Sequence, residues 1–148
     1  MRTIHGTATI RRPAQRVFEF VTTAGGWPRW YPITRRVEGT IDGPGQPGDH
    51  ITEYVRLLGF PSTFYWTIDE NIPAQRYVFS GTSNVGGKAK ITYQFREENG
   101  ATRFDRRLEY EQTNLLMKLA DCLILQFVIR HVSATALRNA QHMLESEV

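Results

Sequence analysis

One cysteine in 148 residues, Cys122, excludes an intramolecular disulfide and any metal site built on paired thiolates. Lysine is scarce as well, three residues against fifteen arginines, so nearly all positive charge sits on planar guanidinium groups. The four histidines, His5, His50, His131 and His142, lack the spacing that would bring two ligands onto one helix face beside a third. No metal and no cofactor is therefore expected. The glycine-rich stretch Gly43–Gly48 carries two prolines, lacks the lysine of a phosphate-binding loop, and reads as a turn. No serine sits on a nucleophile elbow. A membrane-spanning helix needs about 20 mostly apolar residues. The most hydrophobic stretch, Leu115 to Val132, is interrupted by Lys118, Asp121, Gln126, Arg130 and His131. Residues Met1–Gly6 show no apolar signal region, and the expected location is the cytoplasm.

The length suits one domain, residues 1–148, able to bury a substantial core. It leaves no room for a dinucleotide-binding unit beside a substrate domain. The net charge of +3 divides unevenly, at +6 over residues 1–36 and −3 over the rest. Such asymmetry can draw anionic surfaces, or can simply be arginines solvated around a strand and a helix. With no recognition helix or RNA-binding strand motif, no nucleic-acid partner is expected.

Hydrophobic periodicity defines the elements. Residues 2–11 alternate as a half-buried strand, and Pro13 opens a short helix through Val21 with Val17, Phe18 and Val21 on one face. Gly25-Gly26 ends it before the aromatic connector Trp27-Pro28-Arg29-Trp30-Tyr31-Pro32. Six further strands are predicted at about 36–42, 49–58, 62–71, 75–82, 87–97 and 102–113, separated by Gly- and Pro-bearing turns. After Thr113-Asn114, a good cap, a helix of about 30 residues follows, roughly 45 Å long. Leu115, Leu119, Cys122, Leu125, Ile129, Val132, Ala136, Leu137, Ala140, Met143 and Leu144 would form its sheet-facing stripe. Leu116, Leu123, Ile124, Phe127 and Val128 make its first half apolar on the other side too. The fold class is α+β: a seven-stranded, curved antiparallel sheet wrapped around a long C-terminal helix. Such a sheet encloses more space than one helix stripe fills, so an interior cavity is expected.

In order and spacing, several motifs resemble the polyketide cyclase/dehydrase and lipid-transport superfamily, the START-like or Bet v 1-like helix-grip proteins. They are Ala8-Thr9-Ile10, then Arg12-Pro13-Ala14-Gln15-Arg16-Val17-Phe18-Glu19-Phe20-Val21, Trp27-Pro28-Arg29-Trp30-Tyr31-Pro32 and the Gly43–Gly48 turn. Trp66-Thr67-Ile68-Asp69-Glu70, Pro73-Ala74-Gln75-Arg76, Thr92-Tyr93-Gln94-Phe95 and Gly100-Ala101-Thr102-Arg103 follow. The resemblance spans the chain and implies the helix-grip fold. The superfamily holds lipid and sterol carriers, hormone-binding proteins, aromatic polyketide cyclases, ubiquinone-binding proteins and chaperone activators, and the fold does not choose among them.

Arg106 is the most informative residue, because alternation sets it inward among Phe104, Leu108 and Tyr110, where an unpaired charge is costly. It reads as a cavity arginine that orients a ligand carboxylate, phenolate or carbonyl, as the partner of an inward acid such as Glu53 or Glu70, or as an arginine at the pocket mouth. Tyr93 and Tyr110 read as hydrogen-bond donors to a ligand or as core aromatics. The adjacent acids Asp69-Glu70 and Glu97-Glu98 point to opposite faces and read as solvated. The candidate ligand-contacting set is Trp66, Phe79, Tyr93, Arg106, Leu108, Tyr110, Leu119, Cys122 and Gln126. Leu57, Leu58 and Phe60, at a hairpin turn, read as a gate to the cavity or as packing onto the helix start. The expected function is binding of a small hydrophobic or amphipathic ligand. The alternatives are a cyclase or dehydratase acting on such a ligand and a protein-interaction module. The two-sided apolar helix half points to a homodimer, with contact to the loop around Leu57–Phe60 or to a lipid surface as the alternatives.

Overall fold

The computed structural model describes residues 1–147. Its elements are β1 (Arg2–Ile10), α1 (Ala14–Thr22), α2 (Trp27–Trp30), β2 (Thr34–Gly39), β3 (His50–Leu57), β4 (Phe60–Ile72), β5 (Arg76–Ser83), β6 (Gly87–Glu98), β7 (Ala101–Gln112), α3 (Leu115–Ala120) and α4 (Gln126–Glu145). The seven strands form one antiparallel sheet in the order β1-β7-β6-β5-β4-β3-β2. Every strand predicted from alternation is present, most ends agreeing within two residues. The chain runs as a meander, except that β1 pairs with β7 and leaves β2 at the far edge.

Inward side chains taper along the sheet. At one end β5, β6 and β7 contribute Tyr77, Phe79, Tyr93, Phe95 and Phe104, all buried in mutual aromatic contact. Farther along β5 and β6 the inward positions are small: Gly81 faces Ala89 across the pair, and Gly87 lies beyond. Big rings close one end and small side chains leave the other open. Gly81 also marks a close backbone approach, since a Cβ there would lie 2.0 Å from the Tyr65 carbonyl oxygen.

α1 and α2 pack across the closed end, burying Val17, Phe18, Trp27 and Trp30. Pro13 offers no capping side chain. Instead Glu97, expected to be solvated, accepts a 2.6 Å bond from the Ala14 amide, which suits the positive end of α1. Glu70 likewise has a partner, Arg76 at 3.1 Å.

The C-terminal helix runs unbroken from Leu115 to Glu145, but a π-helical turn, Asp121–Leu125, joins α3 to α4. The Gln126 amide bonds to the Asp121 carbonyl, five residues back. This extra residue rotates the face of α3 by about 100° relative to an uninterrupted α-helix. The stripe predicted from α-periodicity holds through α4, where Val132, Ala136, Leu137, Ala140 and Leu144 are buried. It fails through α3 and the π turn: Leu115, Leu119 and Cys122 are exposed. No helix of the described residues is long and apolar enough to cross a membrane.

Gly81→Ala is expected to destabilise the fold by more than about 2 kcal/mol, because Tyr65 is backbone and cannot yield locally. Chemical denaturation measures this; an unchanged midpoint would show that β4 and β5 can separate there.

Candidate functional site: a polar pair in an apolar cavity

Between the open half of the sheet and the first half of the C-terminal helix lies a cavity of about 540 Å³. This is within the range of small-molecule sites. Trp27, Trp30, Trp66 and Phe79 line its inner end, where the Trp27 and Phe79 rings stack at 5.3 Å. Its roof is Leu116, Met117, Ala120, Ile124, Leu125 and Ile129. Leu57, Leu58, Phe60 and Val85 border it on the hairpin side. Leu58 occupies the left-handed region at φ 51° and is 56% exposed, an uncommon conformation for leucine.

Arg106 projects into this apolar space and is 4% exposed. β-pairing sets it between Tyr93 on β6 and Gly6 on β1. Its Nη1 donates to Ser133 Oγ of α4 at 3.0 Å, and its guanidinium lies over the Tyr31 ring at 4.8 Å. Nε has no partner within the protein. Burial works against the charge, but the Tyr31 and Tyr93 hydroxyls outweigh it and hold the guanidinium pKa above its usual value. Arg106 therefore stays cationic.

Neither acid considered as its partner forms an ion pair with it. Glu70 is taken by Arg76. Glu53 does face inward and lines the same cavity, but its oxygens accept from Thr34 Oγ1 at 2.5 Å and Trp66 Nε1 at 3.0 Å. Burial pushes the Glu53 carboxyl above its ordinary value, against the opposing pull of those two bonds and of Arg106. Trp30, also in the wall, has a buried Nε1–H without a partner.

The two tyrosines differ. Tyr93 is 2% exposed and its phenol pKa is raised by burial. Tyr110 donates to Asp121 Oδ1 at 2.6 Å, and Arg2 Nε donates to Oδ2 of the same carboxylate at 2.5 Å. Asp121 is thus a buried acid that ties the π turn to β7 and β1. Burial and this carboxylate raise the Tyr110 pKa.

Of the nine candidate residues, Trp66, Phe79, Tyr93, Arg106, Leu108 and Tyr110 meet around the cavity. Leu119, Cys122 and Gln126 do not. The π turn leaves Leu119 and Cys122 exposed, and the Gln126 side-chain Nε2 donates back to the Cys122 carbonyl at 2.8 Å. Leu116, Ala120 and Ile124 take their places. Glu53, Trp30 and Tyr31 also line the cavity, and Ser133 holds Arg106 from α4; the candidate set omits all four. For Glu53 the signal was present, because it alternates inward with Ile51 and Val55. Among the described residues no three His, Cys, Asp or Glu side chains gather as metal ligands.

The sequence profile described as polyketide cyclase/dehydrase and lipid transport matches residues 1–145. Solved structures give the same fold at low identity. The Zhui aromatase/cyclase from a Streptomyces species is 17% identical, with a TM-score of 0.76 over 97% of this chain and 93% of that one. TTHA0849 from Thermus thermophilus is 14% identical, with a TM-score of 0.80 over 97% of each chain. The Aha1 dimer from Colwellia psychrerythraea is 20% identical, with a TM-score of 0.66 over 99% and 98%. No protein of curated function matches significantly.

The raised Glu53 pKa fixes the sign of a stability effect. Its contribution is fully present below the ordinary carboxyl value of 4.5 and is lost as pH rises through the folded-state value. Glu53→Gln, which keeps an acceptor for Trp66, should raise Tm at alkaline pH, with the gain vanishing on acidification towards that value. Thermal melts across pH test this; a gain independent of pH would contradict it.

Proposed function

The chain belongs to the polyketide cyclase/dehydrase and lipid-transport family, and on that premise we propose that it binds a small hydrophobic or amphipathic molecule, lipid-like or aromatic, in the cavity between sheet and helix. The observation that carries this reading is a cavity of about 540 Å³ with an apolar wall and one buried cation whose Nε–H is unbonded. The wall would take the body of the ligand by excluding water, at roughly 25 cal/mol per Å². Arg106 would orient its oxygen-bearing end. Ser133 and Tyr31 hold the guanidinium in place beforehand, so little side-chain entropy is lost on binding.

A second reading is a cyclisation or dehydration, favoured by the Tyr93–Arg106 pairing on adjacent strands. Both groups would face one bound carbonyl, and catalysis would come from orientation and proton donation. Tyr110 is less available as a proton donor, because its proton is committed to Asp121.

Self-association belongs to the same proposal. Leu115, Leu116, Leu119, Leu123, Ile124 and Phe127 are each more than half exposed, along one helix half. An apolar surface of this kind marks an interaction site, and a homodimer through it would cover the roof of the cavity. The Aha1 relative is described as a dimer.

Arg106→Met should weaken binding of 2-naphthoate at least about tenfold, the worth of one charge-assisted hydrogen bond. Binding of 2-naphthamide should be less affected and the circular dichroism unchanged. Equal affinity of variant and wild type for 2-naphthoate would remove Arg106 from the reading. Light scattering should give twice the chain mass, falling to one chain in Leu123→Glu/Phe127→Glu; a strictly monomeric wild type would overturn the dimer.

A further inference from the structure

Glu53 bridges β2 and β4 through Thr34 and Trp66, and nothing in the ligand reading above uses it. It nevertheless sits 7% exposed in the wall of an apolar cavity, with Ile51 and Val55 on either side along β3. No ion pair reaches it among the described residues. Each oxygen accepts one bond, from Thr34 and from Trp66, which leaves acceptor capacity on both.

Arg106 is close by, across one turn. The Thr34 amide bonds to the Tyr31 carbonyl at 3.2 Å, closing a β-turn through Pro32 and Ile33. At one end of that turn the Tyr31 ring lies against the Arg106 guanidinium. At the other the Thr34 hydroxyl holds the Glu53 carboxyl. One cation and one acid therefore face the same low-dielectric space without touching. With Glu53 ionised the two charges balance. A ligand carboxylate on Arg106 would then leave one uncompensated negative charge in an apolar site, and adding a proton to Glu53 removes it.

We propose that Glu53 couples ligand charge to a proton: an anionic ligand enters the cavity together with a solvent proton that settles on the Glu53 carboxylate, and a neutral ligand enters without one. This rests on the cavity being the ligand site. The other titratable groups in the wall do not supply the proton site. Burial raises the Tyr93 phenol, which therefore keeps its proton, and Arg106 holds its charge throughout. Lys88, Tyr110 and Glu111 lie towards the strand ends at the mouth, where Lys88 is exposed, Glu111 is half-exposed and Tyr110 is bonded to Asp121. Burial favours the neutral form of Glu53, the direction that this coupling requires.

The test is titration calorimetry of the full chain with 2-naphthoate and 2-naphthamide from about pH 6 to about pH 9, where naphthoate stays ionised. Wild-type affinity for 2-naphthoate should fall with pH, approaching tenfold per unit once one proton is taken up per ligand. Affinity for 2-naphthamide should stay flat. In Glu53→Gln the naphthoate slope should disappear. In Thr34→Val, which removes a bond to the charged carboxylate, the fall should begin at higher pH. A naphthoate slope unchanged in both variants, or a matching slope for naphthamide, would overturn the coupling while leaving the cavity reading intact. Binding of neither probe to the wild type would overturn both.

Discussion

A strongly curved antiparallel sheet has a concave face larger than one helix can cover, and that mismatch shapes the rest of this molecule. Aromatic side chains fill the closed end, where Phe79 contacts Trp27, Trp66 and Tyr93 together. Towards the other end Gly81, Gly87 and Ala89 cannot reach the helix. The open half is then roofed by α3 and the π turn rather than filled by them. Asp121, bonded to Tyr110 and Arg2, holds that roof to the sheet.

Two ionisable groups inside such a space need specific support. Arg106 obtains it from Ser133 and the Tyr31 ring, and Glu53 from Thr34 and Trp66. Each is held by neutral neighbours and not by the other. A direct ion pair would satisfy both groups and leave nothing for a ligand. Keeping them apart around the Tyr31–Thr34 turn leaves Arg106 a free donor and Glu53 free acceptor capacity. The polar end of the cavity is thereby organised before anything binds, while the apolar wall is indifferent to detail. This division of labour suits a site that accepts a class of molecules and reads only one end of each.

Much of this was legible in the sequence. Period-two alternation located all seven strands and the inward positions of Tyr93, Arg106, Leu108 and Tyr110, since one face of β6 and β7 is plainly polar and the other apolar. The helix was legible in extent but not in phase. A π turn has no strong sequence signature, and the inserted residue moved Leu119 and Cys122 to the outside. Asp121 read as a charge that interrupts an apolar stretch, and its role depends on Arg2 and Tyr110, distant in the chain. Glu53 was visible as an inward acid. Its separate partners, Thr34 and Trp66 rather than Arg106, are a tertiary property that alternation cannot report.

All three tryptophans of the chain line the cavity and are buried, which gives the central claim a direct reporter. The measurement is tryptophan emission during titration with 2-naphthamide, followed with wild type and with Ala89→Phe, whose added ring would occupy the open end. The account predicts a saturable change in emission at one ligand per chain for the wild type, and its loss in the filled variant at unchanged fold. An emission change of the same size and affinity in both proteins would place the ligand outside the cavity and contradict the account.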